Sequence, residues 1–355
     1  MTRSTIRLVA AGAVAVLALG ACSAPEPVEP PTPPAVTVTP SPSESRAAAP
    51  EPELPPTVWP LTGELVDKIP ERPALAVKVE NTSAARPQAG LEDADIVWET
   101  VVEFSVPRFI AVFHSKTPGK IGPIRSARPM DAAVVAPLGG LLAASGGQGG
   151  ILNMARKAGS QVLTNDAGHG GFYRSSARRA PHNVYSSAED LWKQADEKRD
   201  APPAQQFEYA EDAESATVAV AGEDAKKLSL RMGQGRPSWT WDAKSSTWLR
   251  SEGSVDSLSE DGKRLSAVNV VVLSVTPFDS GYNAQGGAMV PNLRLEGERG
   301  KAWVATGGKV VEARWAKDKE DDPFVLTLKG EPLLLAPGNT WVELMPTNEG
   351  SLEIG

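Results

Sequence analysis

Two arginine clusters are the residues of this sequence best suited to chemistry. Arg125 and Arg128 lie three residues apart and immediately precede Pro129, which favours the first turn of a helix. A helix start leaves backbone N–H groups available and attracts anions, so guanidinium groups there suit a phosphate or a carboxylate. A second cluster adds groups that can orient an oxyanion, and its candidate residues are Tyr173, Arg174, Arg178, His182 and Asn183.

If the two clusters converge, they form a basic cleft on an acidic chain, whose formal net charge is −8. We expect such a cleft to bind an anionic or polar ligand. The alternative is structural, because the same arginines can pair with Asp131, Glu99 or Glu103. Nucleic acid is not expected as a partner, since an acidic chain has no general field that attracts a polyanion.

Hydrolysis is a second kind of chemistry that the sequence allows. Ser145 stands in Ala144-Ser145-Gly146-Gly147, where glycine N–H groups can support an oxyanion and His114 or His182 can act as the base. The glycines do not bracket the serine as they do in a nucleophile elbow. Ser145 and His114 therefore join the candidate ligand-binding residues, and no catalytic residue is assigned.

Carboxylates and metal ligands provide weaker patterns. Glu99 and Glu103 are four residues apart in an expected strand, so they share a face and allow acid/base work of the glycosidase type. The three histidines of the chain include no i,i+4 pair around a glutamate, and the chain has one cysteine. We therefore expect no metal site and no cofactor.

The elements that must position these residues are mixed up to about residue 200. Apolar runs rich in β-branched residues predict strands over 74–80, 96–103 and 108–114, and helices are expected over 129–142, 149–158 and 187–198. After residue 200, short strands alternate with turns, and a strand is expected at 216–220 among others. The fold class is therefore α+β: an N-terminal mixed α/β domain over 59–200 and a β-rich C-terminal domain, a sandwich or small barrel, over 201–355.

Aromatic residues indicate how the second part packs. Trp239 and Trp241 share one face of a strand, where two aromatic rings can form a sugar-stacking platform. Core packing is favoured over this interpretation, because large aromatic residues dominate small β cores. Phe207 and Tyr209 lie in the connection between the two parts and need burial. We expect the two parts to pack against each other.

The N-terminal residues predict a lipid anchor. A basic start and an apolar run over 8–19 precede Leu19-Gly20-Ala21-Cys22, so residues 1–21 are interpreted as a lipoprotein signal peptide and Cys22 as the lipidated residue. Residues 22–58 are rich in proline, alanine and serine, which predicts a disordered stalk. The protein is expected at the cell membrane, lipid-anchored on its extracytoplasmic face.

An ordered series of motifs resembles the DUF3048 family of YerB-like bacterial lipoproteins. The motifs include Pro60-Leu61-Thr62-Gly63, Ala76-Val77-Lys78-Val79-Glu80-Asn81, Ala94-Asp95-Ile96-Val97-Trp98-Glu99, Gly122-Pro123-Ile124-Arg125-Ser126-Ala127-Arg128-Pro129, Phe172-Tyr173-Arg174, Ala180-Pro181-His182-Asn183-Val184-Tyr185 and Pro337-Gly338-Asn339-Thr340-Trp341. The resemblance implies a two-part extracytoplasmic lipoprotein and supplies no reaction. The functional alternatives are an envelope ligand-binding module, a hydrolase or transferase acting on an envelope glycopolymer or a lipid-linked phosphate, and a scaffold for a membrane partner.

We predict that Cys22→Ser releases the protein from the membrane. Acyl chains on one residue can hold a folded domain on a bilayer because each buried methylene contributes about 0.8 kcal/mol. Cell fractionation of Cys22→Ser beside Ser23→Ala, which leaves the thiol intact, measures this. A Cys22→Ser protein that remained in the membrane fraction with the mobility of the mature form would contradict the prediction.

Overall fold

One large mixed sheet runs through residues 56–355, the part of the chain that the computed structural model describes. The expected signal peptide, Cys22 and all but the last three residues of the expected stalk lie outside the described residues. The sheet has 13 strands, which we number in chain order with the strands of the other sheets: β1 Leu75–Glu80, β2 Ile96–Val101, β3 Pro107–Phe113, β4 Leu141–Ala144, β5 Gln161–Thr164, β8 Glu223–Asp224, β14 Asn269–Asn283, β15 Met289–Arg294, β16 Glu298–Thr306, β17 Lys309–Lys317, β18 Val325–Leu328, β19 Glu331–Pro332 and β20 Thr340–Pro346.

Two smaller sheets and four helices complete the described fold. A six-stranded second sheet contains β9 Lys227–Met232, β10 Pro237–Asp242, β11 Thr247–Glu252, β12 Val255–Asp256, β13 Ser266–Ala267 and β21 Gly350–Ile354. A two-stranded hairpin contains β6 Tyr173–Arg174 and β7 Val184–Tyr185. The helices are α1 Pro129–Val135, α2 Gly149–Lys157, α3 Ala188–Trp192 and α4 Thr217–Ala221, with 3₁₀ turns at Ser83–Ala85, Leu91–Asp93, Glu103–Ser105, Ala136–Leu138 and Gln285–Gly287.

The centre of the large sheet is shared by the two parts of the chain. Its order is β19-β18-β17-β16-β14-β20-β2-β3-β1-β4-β5, with β15 beside β14 and β8 beside β17. The C-terminal β20 pairs in parallel with the N-terminal β2, from Ile96 opposite Thr340 to Glu99 opposite Glu343. Phe207 stacks on Trp98 with ring centroids 6.1 Å apart, so the connection between the parts is also packed. The expected packing of the two parts against each other is therefore observed.

Both faces of the central strands are covered, which explains their nearly continuous apolar sequences. Every residue of β1, β2 and β3 is buried. Alternate side chains enter two cores: Ile110 packs on the face that carries Met130 of α1, and Ala111 packs on the face that carries Trp239 and Trp248 of the second sheet. The mixed α+β class with a β-rich C-terminal part is confirmed, and Trp239 is a core residue.

Two expected elements differ from those observed. The helix expected over 129–142 ends at Val135 and is followed by a 3₁₀ turn, because Pro137 cannot continue an α-helix, and Leu141–Ala144 then form a strand. The strand expected at 216–220 is the helix α4. Lys309 Nζ donates to the carbonyl of Ala219 at 2.8 Å, and this cation satisfies a carbonyl in the last turn of α4. Helices α2 and α3 begin within one residue of their expected positions, but α3 ends six residues earlier, at Trp192.

A buried ionic network joins the large sheet to the second sheet. Arg250 of β11 donates to Glu99 of β2 at 2.8 Å and to Glu252 at 3.1 Å, and its guanidinium lies 5.3 Å from the ring centroid of Trp341. Glu343 of β20 accepts from Trp239 Nε1 at 2.9 Å. Burial and the charge of Glu99 raise the pKa of Glu343 well above its ordinary value. The raised pKa favours the protonated, neutral form of Glu343 in the folded state.

We predict a large loss of stability for one variant of this network and a small loss for another. Arg250→Ala should lower the free energy of unfolding by about 3–5 kcal/mol, because it leaves Glu99 buried without its cation. Glu343→Gln should cost less than about 1 kcal/mol, because the amide imitates a neutral carboxyl. Arg299→Ala, at an arginine whose side chain is 70% exposed, is the control.

The pH dependence provides a separate check. A raised pKa stabilises the folded state at low pH, and this contribution is lost as the pH rises through the folded-state value. Wild type should therefore lose more stability than Glu343→Gln between about pH 5 and pH 8 in urea titrations. Equal pH dependence of the two proteins would show that Glu343 is ionised.

Candidate functional site

A cleft of about 850 Å³ lies beside the segment that carries the first arginine cluster. We call it the arginine cleft, after Arg108, Arg125 and Arg128 in its wall. The parts of the fold that meet there include the end of β1, the turn between β2 and β3, the segment before α1, the start of α2 and the tip of the β14–β15 hairpin. The sequence predicted two of these three arginines, and Arg108 was missed because its strand is otherwise apolar.

Glu103 holds two of the arginines in place. Arg128 Nε donates to its carboxylate at 2.5 Å, a second hydrogen bond comes from Arg128 Nη2, and Arg108 lies 3.2 Å away. Burial works to raise the pKa of Glu103, but the hydrogen bond from Arg128 and the charges of Arg108 and Arg128 lower it to about 2. The pairing alternative that the sequence raised for Arg128 is thus observed, and this arginine has a structural partner.

The start of α1 is not open to an anion. The carboxylate of Asp131 accepts the backbone N–H of Arg128 at 2.8 Å and also accepts from Lys78 Nζ at 2.6 Å. Lys78 and Asp131 are both buried, so each needs the charge of the other. The sequence predicted free backbone N–H groups for an anion at this helix start, but Asp131 of the protein itself occupies that position.

Arg125 is the cleft arginine whose donors are least used. Its Nε lies 3.5 Å from Glu80 and forms no hydrogen bond within residues 56–355, and its Nη1 is 3.5 Å from the carbonyl of Pro181. Glu80 is almost completely buried and accepts hydrogen bonds from Thr82 at 2.8 Å and from His182 Nδ1 at 2.8 Å. Arg125 and His182 therefore converge on a carboxylate of the protein itself, whereas the sequence led us to expect that they share a bound ligand.

The residues of the second cluster lie outside the arginine cleft. His182 and Arg178 line a neighbouring concavity of about 680 Å³, where Arg178 donates to the backbone carbonyls of Ala84 and Pro87. Arg174 donates to the side chain of Asn183 at 2.8 Å. Tyr173, 45% exposed, stacks on Tyr185 with a centroid separation of 6.1 Å. The expected single site is thus divided between two adjacent concavities and a hairpin.

His114 and Ser145 do not form the expected nucleophile and base. His114 follows β3, six residues from Arg108 and so about 20 Å along the strand. It is buried against Trp59, and burial together with the charge of Arg72 lowers its pKa to about 4. Ser145 Oγ lies 3.4 Å from Ser126 Oγ and contacts no histidine by a hydrogen bond within residues 56–355. The hydrolase alternative therefore gains no nucleophile–base pair from this geometry.

The structure also bears on the expected carboxylate pair, on metal ligands and on membrane-spanning helices. Glu99 is bound to Arg250 between the sheets and Glu103 is bound in the cleft, so the two carboxylates serve separate networks. The described part of the chain contains no group of three or more histidine, cysteine or acidic residues placed to hold a metal ion. None of the helices described in residues 56–355 has the length and apolar character to span a bilayer.

The fold and the cleft describe a two-part α+β protein whose central strands come from both parts, and comparison with known proteins identifies its family. Residues 61–202 match the family "Protein of unknown function (DUF3048) N-terminal domain", and residues 228–342 match the corresponding C-terminal domain. The chain belongs to the DUF3048 family.

One curated relative and one solved structure support this assignment. The chain is 27% identical over 301 residues to "Putative lipoprotein YerB" of Bacillus subtilis (strain 168), covering 81% of this chain and 86% of the relative. It is also similar to the crystal structure of the YerB protein from Bacillus subtilis, with a TM-score of 0.72 and 25% identity, covering 84% of this chain and 99% of that one. The resemblance stated from the sequence is confirmed.

We predict that Arg128→Ala destabilises the protein in a pH-dependent way. A lowered carboxylate pKa stabilises the fold above the unfolded-state value, and this contribution is lost as the pH falls towards the folded-state value of about 2. The stability difference between wild type and Arg128→Ala, measured by urea unfolding, should therefore shrink between about pH 7 and pH 3. A difference that stays constant with pH would contradict the role of Glu103.

Proposed function

We propose that this protein is a lipid-anchored component of the cell envelope that binds an anionic or polar envelope ligand in the arginine cleft. The carrying observation is Arg125, a guanidinium in the cleft wall whose Nη1 makes one long hydrogen bond, at 3.5 Å, and whose Nη2 makes none within residues 56–355. Donors of a charged group gain most from a charged acceptor. A carboxylate or phosphate in the cleft would supply that acceptor.

The charges around Arg125 support a ligand that interacts mainly with this residue. Arg128 is bound by Glu103, and Arg108 is bound by Glu103 and by the carbonyl of Ser126. The cleft is therefore a nearly balanced surface with one cation that has donors to spare, rather than a strongly basic patch. Such a surface favours a polar ligand with a single anionic group over a polyanion.

The proposed location rests on the N-terminal sequence and on the relative. Cys22 has the spacing of a lipidated cysteine, and the relative from Bacillus subtilis is described as a lipoprotein. Acyl chains at Cys22 would hold the folded part outside the membrane, at the end of the stalk. A ligand that belongs to the envelope would then be within reach of the cleft.

We predict that Arg125→Ala weakens binding of inorganic phosphate, the simplest anionic probe, by about 10- to 100-fold, since one charged hydrogen bond contributes about 1.5–3 kcal/mol. Arg125→Lys should recover only part of this, because an ammonium lacks the planar fork. Calorimetric titration of the full chain in detergent measures both variants, with Arg299→Ala as the control. Unchanged phosphate affinity in Arg125→Ala, or no measurable binding by wild type, would contradict the proposed anion site.

A further inference from the structure

Phe104, at the rim of the arginine cleft, combines two unfavourable properties. Its side chain is 61% exposed although it is a large apolar residue, and its backbone has a φ of +60°. The next residue, Ser105, has a φ of +55°. Residues other than glycine rarely adopt this left-handed region, because it is strained for a residue with a Cβ atom. Two consecutive strained residues that expose an aromatic ring need an explanation beyond packing.

The strained turn is held from both sides. On one side, Glu103 is bound by Arg128. On the other side, Gln234 donates from its side chain to the carbonyl of Phe104 at 2.9 Å and from its backbone to the carbonyl of Ser105 at 2.8 Å. The hydroxyl of Ser105 donates to Glu349 at 2.8 Å. The turn belongs to the N-terminal part of the chain, and these last contacts come from the C-terminal part.

A glycine beside the turn shows how closely the two parts approach. A Cβ added to Gly233 would lie 2.5 Å from the carbonyl oxygen of Ser105, and Gly233 itself has a φ of +60°. Only glycine fits this position without a shift of the backbone. The turn therefore holds the ring of Phe104 at the cleft on a rigid support, and the exposure of the ring is not the result of a loose loop.

The rest of the cleft wall indicates what the ring contacts. Beside Phe104 the wall contains polar side chains of the kinds that can form hydrogen bonds with hydroxyl groups, among them Thr82, Ser126, Gln148, Asp166 and Gln285. An aromatic face suits the flat apolar face of another ring, and amide and carboxylate side chains suit hydroxyl groups at its edge. A sugar ring has both features. Arg125 in the same wall adds a partner for a negative charge.

We propose that the arginine cleft binds a saccharide that carries a carboxylate or phosphate group, with Phe104 stacked on the sugar ring and Arg125 bound to the anionic group. This inference rests on the proposed function, because it assigns a ligand class to the same cleft. It goes further by giving Phe104 the role of selecting a sugar over a simple anion. The strain of the turn then serves to place the ring.

Four probes separate the contributions of the two residues: glucose 6-phosphate, glucuronate, glucose and inorganic phosphate. Wild type should bind at least one of the two anionic sugars about 10-fold more tightly than inorganic phosphate. Phe104→Ala should reduce that affinity to the level of inorganic phosphate and leave phosphate binding unchanged. Phe104→Trp should retain the preference, and the better of the two anionic sugars shows whether phosphate or carboxylate is preferred.

The controls keep this test independent of folding and of the proposed function. Phe104→Ala should unfold at the same urea concentration as wild type or a higher one, because the side chain is mostly exposed. Val255→Ala removes an apolar side chain that is 68% exposed on the second sheet and should not change any affinity. Gln234→Ala should weaken binding of the anionic sugar by loosening the turn, without affecting inorganic phosphate.

Two results would overturn the inference. One is a wild type that binds the anionic sugars no more tightly than inorganic phosphate, and the other is a sugar preference that survives in Phe104→Ala. In either case phosphate binding that depends on Arg125 would leave the proposed function standing. Phosphate binding that does not depend on Arg125 would instead count against the proposed function itself.

Discussion

The buried charge of Arg250 is the constraint on which the arrangement of the sheets depends. A guanidinium between two sheets is strongly unfavourable unless carboxylates accompany it, and here they come from different strands. Glu99 belongs to β2 of the large sheet, while Arg250 and its second partner, Glu252, belong to β11 of the second sheet. Because a shift of any of these strands would separate the charges, the network fixes how the second sheet lies on the large one.

The same requirement shapes the arginine cleft. Glu103 holds Arg108 and Arg128, and Asp131 holds Lys78 beneath them, so most of the cations at the cleft are needed for the fold. A count of arginines therefore overstates how strongly the cleft attracts anions. What remains for a ligand is Arg125, together with the ring of Phe104 that the neighbouring turn exposes. A structural network and a candidate binding surface thus share one wall.

The position of β20 explains why the two DUF3048 regions occur in one chain. This C-terminal strand lies at the centre of the large sheet, between β14 and β2, and all of its residues are buried. Without it, β2 would expose the hydrogen-bonding edge that now pairs with β20. Unpaired strand edges of this kind are aggregation-prone, so neither part has a complete core without the other.

The sequence by itself determined the family, the mixed α+β class, the apolar central strands and the segment that contains Arg125 and Arg128. These features are local, because an apolar strand sequence or a motif can be recognised without knowing which residues lie near it in the folded protein. The tertiary structure alone decided which charges meet. Glu80 is 45 positions before Arg125 and 102 before His182, and the sheet brings all three together while it leaves His114 about 20 Å away. Likewise α4 and the turn that exposes Phe104 are held by contacts with parts of the chain that are distant in sequence, which no local pattern encodes.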